Sequence, residues 1–144
     1  LEDLKARAAA EGVADRVTFI DPVPMGELLA VTAGADLGVI PYRNVGLNNF
    51  YTSPNKLFEY VAAGVPVVAS FFPELKKVVE GLSLGRTFDP DDPSSIAAAV
   101  NAILEDPAEH ARLRENAARA APTFTWEGEV GTLLDAYSSL AIRA

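Results

Sequence analysis

The chain has 144 residues, a formal charge of −8 and 49% hydrophobic residues. That length suits one domain with its own core, and the acidic balance argues against a general nucleic-acid or anionic-membrane binder. The lack of cysteine excludes disulfides and thiolate metal sites, and no apolar run approaches the roughly 20 residues needed to span a bilayer. No signal peptide is visible, and a chain that opens on Leu1 rather than Met reads as a piece of a longer protein.

Residues 1–11 are helical in composition, with Leu1, Leu4 and Ala8 on one stripe and Gly12 closing it. Residues 16–20, RVTFI, read as a strand, followed by a turn at 21–24. Residues 25–34 read as a short helix carrying Leu28, Leu29 and Val31. Residues 37–41, LGVIP, form a mostly apolar strand, and 42–52 a polar loop with three asparagines.

The stretch 53–70, SPNKLFEYVAAGVPVVAS, reads as a helix with a polar start followed by a buried strand. Ser53 suits the N-cap and Pro54 the first helical position. Asn55, Lys56 and Glu59 share a face by their i,i+3 and i,i+4 spacing, and Gly64 ends the helix. A loop at 71–73, a helix at 74–80 and a weak strand at 84–88 come next. Asp92 caps a helix that begins at Pro93, and Asp106 with Glu109 has capping-box spacing before the following helix. Thr125 caps the last helix, and Trp126 reads as a hydrophobic anchor for the C-terminal helices.

Strands alternating with helices predict an α/β fold, an open parallel sheet with helices on both faces and extra C-terminal helices. Ligands of such sheets bind beyond the carboxyl ends of the strands, where loops 21–24, 42–54 and 70–73 fall. The start of the 53–70 helix lies there. Its free backbone N–H groups and the Lys56 charge suit a diphosphate, and Glu59 one turn further in suits hydroxyls, so together they suit a nucleotide. The plain alternative is an ordinary helix start with an exposed Lys56–Glu59 pair. Arg43 reads either as a phosphate partner or as a solvated arginine. Phe71 and Phe72 either line the cleft or cover core. His110, the single histidine, reads as a surface residue. The Asp89, Asp91 and Asp92 cluster lacks EF-hand spacing, so no metal and no cofactor is expected.

The run SPNKLFEYVAAGVPVVAS, preceded by VTFIDPVPMGELLAVTAGADLGVIPY and followed by LGRTFDPDDPSSIAAAVNAILEDP and FTW, resembles the C-terminal donor-binding domain of the retaining GT-B glycosyltransferases of the large group 1 family. The resemblance implies a Rossmann-like domain, truncated at its N-terminus, in which residues 1–144 form one partial nucleotide-sugar-binding unit and the N-terminal acceptor domain is absent. It implies a hexosyltransferase that uses a UDP- or GDP-linked donor and a glycan or lipid acceptor, with the fragment inactive alone. By resemblance Glu59 hydrogen-bonds the donor ribose, Lys56 stabilises the leaving diphosphate, and Thr52, Ser53 and Asn55 lie near donor sugar and diphosphate. The family carries two glutamates separated by seven residues. The first would fall on Tyr51, so the chain departs from the pattern at a position that touches the donor sugar.

Two rival readings stay open, a nucleotide-sugar epimerase of the same fold and a non-catalytic binding or assembly module with a decayed donor site. The expected partners are the nucleotide-sugar donor and the absent acceptor domain, with no nucleic acid. An exposed sheet edge would allow a homodimer of the fragment. The expected location is cytoplasmic, with a peripheral seat at the inner membrane face as a further expectation for the parent.

Overall fold

The computed structural model describes residues 1–141. Its centre is a three-stranded parallel sheet in the order β1-β2-β3, formed by β1 (Gly38–Ile40), β2 (Val67–Ser70) and β3 (Gly85–Phe88). Gly38 lies opposite Val67, and Val67 in turn opposite Gly85. Around the sheet run α1 (Glu2–Ala10), α2 (Met25–Ala33), the short α3 (Leu47–Phe50), α4 (Asn55–Ala62), α5 (Pro73–Val79), α6 (Pro93–Leu104), α7 (Pro107–Ala120) and α8 (Trp126–Ala141).

All four residues of β2 are buried, because it is the central strand with helices on both faces. The side-chain alternation of a strand then divides the core. Val67 and Ala69 pack with Ile40, Leu57 of α4, and Leu75 and Val79 of α5. Val68 packs with Phe88, Ala99 and Ile103 of α6 and Leu113 of α7. A third cluster joins Val61, Leu84 and Ala117. A Cβ at Gly85 would overlap the Val67 carbonyl, so glycine there lets β3 lie close against β2.

Capping follows local chemistry. Asp92 accepts from Ser94 N–H at 2.8 Å, and Asp106 accepts from Ala108 and Glu109 N–H, each at 3.0 Å. Gly128 N–H donates to Thr125 Oγ1 at 3.1 Å, which makes Thr125 the cap of α8. Helix α4 closes in a Schellman arrangement, with Val65 N–H on Tyr60 O and Gly64 N–H on Val61 O. Gly64 takes the left-handed φ of 68° that this requires.

Several expectations are corrected. Residues 16–20 form no strand. Val17 is extended, but no described strand pairs with it, and Phe19 and Ile20 are 38% and 71% exposed. High β propensity gives an extended chain, but a strand needs a partner ladder. The N-cap of α4 is Pro54 rather than Ser53, and no side chain caps it. The capping box stays half-built because Glu109 turns to Arg112, at 2.8 Å and 2.9 Å. The polar loop 42–52 contains the one-turn α3, which Phe50 pins by packing on Phe72 with ring centroids 5.5 Å apart. Trp126 is 64% exposed and anchors no core among the described residues.

Candidate functional site

In a parallel sheet the carboxyl ends of all strands lie at one edge, and the segments leaving them gather there. After β1 the chain passes Pro41, Tyr42 and Arg43, turns through α3, and enters α4 at Asn55. After β2 come Phe71 and Phe72, and after β3 the acidic loop 89–92. Two contacts tie these segments together. Ser70 Oγ, fully buried, donates towards Tyr42 O at 2.6 Å and lies 3.2 Å from Ile40 O. Arg43 Nε donates to Asp91 Oδ1 at 2.8 Å. The Arg43 side chain is 73% exposed, as the solvated reading expects, and its ion pair spans from the end of β1 to the loop after β3. Of the two phenylalanines, Phe72 is buried in the core while Phe71 is half exposed.

Helix α4 presents its first turn at this edge. Among the described residues the N–H groups of Asn55 and Lys56 find no protein acceptor, whereas Leu57 N–H bonds Pro54 O at 3.0 Å. Two free donors and the positive helix end make the turn receptive to an anion. Leu57 and Val61 bury one face, so residues 55, 56 and 59 are left for the surface. Lys56 is half-buried, with its Nζ 5.4 Å from the centre of the Tyr42 ring. Among the described residues no carboxylate pairs with it.

Asn55 and Glu59 line a cleft of about 520 Å³ between α2 and α4, together with Met25, Leu28, Phe58 and Phe124. Lys56 does not line it; 100° of helical rotation from Asn55 turns it towards Tyr42. The structure thus brings Asn55 and Glu59 into one recess and sets Lys56 on the adjoining face. Thr52 is half-buried, while Ser53 and Tyr51 are exposed at the approach to the helix. Tyr51 packs edge-on against Phe50 at 5.0 Å. Burial raises the Tyr60 phenol above its ordinary range, partly offset by a hydrogen bond with the Val39 backbone and reinforced by Glu59, so Tyr60 stays neutral where its ring covers Gly38 of β1.

A second recess, about 600 Å³, lies along the outer edge of β3, lined by Glu80, Arg86, Thr87, Ser95 and Glu109. Its charges answer one another. Thr87 donates to Glu80, and Arg86 lies 3.7 Å from Glu109, whose carboxyl is held below its usual range chiefly by the Arg112 hydrogen bonds. His110 stands apart from both recesses, where its Nε2 donates to Asp36 O at 2.8 Å. No group of metal-ligating side chains occurs among the described residues, and none of their helices is long and apolar enough to cross a membrane.

The sequence reading missed the residues that frame Glu59 and Lys56. The apolar period of residues 25–34 marks a stripe containing Leu28, but not that the stripe forms a cleft with α4. Tyr42 at the end of an apolar strand was the available signal for the platform under Lys56.

The profile of the family described as "Glycosyl transferases group 1" matches residues 1–106. Curated relatives include a D-inositol 3-phosphate glycosyltransferase of Thermomonospora curvata, 32% identical over 137 residues, which cover 95% of this chain and 30% of the relative. Another, of the same name, comes from Salinispora tropica and is 34% identical over 130 residues, covering 90% of this chain and 26% of the relative. The chain therefore spans about 30% of the length of the first of these relatives. Among solved structures, sucrose-phosphate synthase from Thermosynechococcus elongatus superposes with a TM-score of 0.80 at 26% identity, over 99% of this chain and 35% of that one. The Rossmann-like, GT-B character expected from the sequence is met in that neighbour. The parallel sheet with its loops gathered at one edge and the match over residues 1–106 agree, and the chain belongs to the group 1 glycosyltransferase family.

Proposed function

We propose that residues 1–144 form the donor-binding domain of a retaining hexosyltransferase that takes a UDP- or GDP-linked sugar. The carrying observation is Lys56, a half-buried ammonium without a carboxylate partner among the described residues, at the first turn of α4 beyond the carboxyl end of β1. As the glycosidic bond breaks, charge builds on the leaving nucleoside diphosphate. A fixed cation and free N–H groups in place beforehand lower that barrier. Lys56 and the N–H groups of Asn55 and Lys56 receive the diphosphate, and Glu59 accepts from the ribose hydroxyls. Thr52, Ser53 and Tyr51 lie on the donor-sugar side. The acceptor, a glycan or lipid, is held by a second domain outside these residues. The relatives' names point instead to a phosphorylated inositol, and acceptor profiling of the intact protein separates the two. Those names are transferase names, which favours transfer over epimerisation.

Calorimetry of the intact protein with UDP and GDP tests the reading. Binding of one nucleotide is expected, weakened about tenfold or more by Lys56→Ala, as for the loss of a charge-assisted contact. Glu59→Ala is expected to weaken nucleoside binding while leaving pyrophosphate binding intact. No binding of either nucleotide by the wild-type protein would overturn the assignment.

A further inference from the structure

Ser70 is the one buried polar side chain among the described residues. Burial of a hydroxyl is costly unless it is bonded, and alanine would fit a strand that already reads Val67-Val68-Ala69. The hydroxyl has one proton, and its shorter contact, 2.6 Å, is to the Tyr42 carbonyl. That carbonyl lies beyond the last β1–β2 pair, Ile40 with Ala69, so no ladder N–H serves it. Ser70 thereby extends the sheet's hold by one side chain and fixes the backbone of Tyr42. The Tyr42 ring packs on the core cluster of Ile40, Leu57 and Phe72, which fixes its plane. Lys56 Nζ then lies 5.4 Å from the ring centre, within the roughly 6 Å at which an aromatic face attracts a cation.

The partner's chemistry matters. A carboxylate would hold the ammonium equally well but cancel its charge, so an incoming anion would have to displace it. An aromatic face orients the ammonium through its quadrupole and leaves the full positive charge in place. We infer that Tyr42, pinned by Ser70, is the positioning residue for Lys56, holding the ammonium ready for an anion without neutralising it. The use of that charge on a diphosphate rests on the donor-domain function, whereas the positioning itself does not.

The test separates the two. In the intact protein without ligand, amines are labelled briefly with acetic anhydride and quantified by peptide mass spectrometry, with Lys76 and Lys77 as internal references. A fluorinated phenylalanine at position 42 keeps the ring's shape and drains its negative face. It is expected to speed Lys56 labelling about two- to fivefold, the scale of an exposed cation–π contact. Tyr42→Phe is expected to match wild type. Ser70→Ala is expected to shift Lys56 in the same direction as the fluorinated ring, and Ser70→Thr to restore it. A merely structural role would move Lys76 and Lys77 together with Lys56. Equal Lys56 rates with the ordinary and the fluorinated ring, or a rise shared by all three lysines, would overturn the positioning role. Pyrophosphate and nucleotide titrations of the same variants read the donor site separately. A labelling contrast with no nucleotide binding would sink the donor reading and leave the positioning standing.

Discussion

Lys56 and Glu59 are three residues apart on α4, yet one meets an aromatic face and the other an apolar cleft. Their separate surroundings predict separable defects, a loss of diphosphate affinity for Lys56→Ala and of nucleoside affinity for Glu59→Ala. A second carboxylate, Glu109, gives a pH signature unconnected with ligand. Glu109 bonds Arg112 and lies 3.7 Å from Arg86, so its folded-state titration is depressed below the ordinary 4.5. A depressed carboxylate adds stability that is complete above its unfolded value and fades as pH falls through the folded one. The stability gap between wild type and Glu109→Gln in urea titrations is therefore expected to be constant near neutrality and to close on acidification below 4.5. A gap that persists at strongly acid pH would contradict this. At this scale the sequence disclosed which polar and charged residues stand at the helix start, since Asn55, Lys56 and Glu59 are close together in the chain. It hid their partners. Tyr42 reaches Lys56 only after α3 has folded back, and Asp91 reaches Arg43 across 48 residues.

The elements that the sequence made legible are those whose reasons are local. Asp92-Pro93 and Asp106-Pro107 start helices through their own side chains, and Gly64 ends one through its φ. Strands are legible only so far as their neighbours are present. LGVIP and VPVVAS pair with each other, whereas RVTFI has no described partner and stays unpaired although its composition suits a strand. Burial also sorts the helices. Leu57 on α4 is fully buried, whereas Leu134 on α8 is 59% exposed. Leu57→Ala is expected to cost about 2–5 kcal/mol, as for a core cavity, and Leu134→Ala less than about 0.5 kcal/mol. Urea unfolding of both variants checks the contrast, which would disappear if α8 were part of the cooperative core.

At the scale of the molecule the described residues are unevenly packed. The sheet with α4 to α7 holds the buried clusters. By contrast, Leu4 of α1, Met25 of α2 and Trp126, Tyr137 and Leu140 of α8 are each at least 60% exposed. Ending the chain after Thr125 is therefore expected to change the unfolding free energy by about 1 kcal/mol or less, since no described residue of α8 is buried. Loss of cooperative unfolding in that variant would show that α8 does more than its exposure implies.

Helix α7 also reaches back across the chain. His110 donates to Asp36 O over 74 residues, and Arg114 to Ala35 O over 79. The lead-in to β1 is thus clamped by residues made much later. On the ribosome, synthesis runs from the N-terminus, so the first strand emerges long before its fastener and must wait for it. Such long closures slow folding. A nascent chain stalled short of residue 110 should leave residues 35–36 open to a pulse of protease, while one released beyond residue 114 should not.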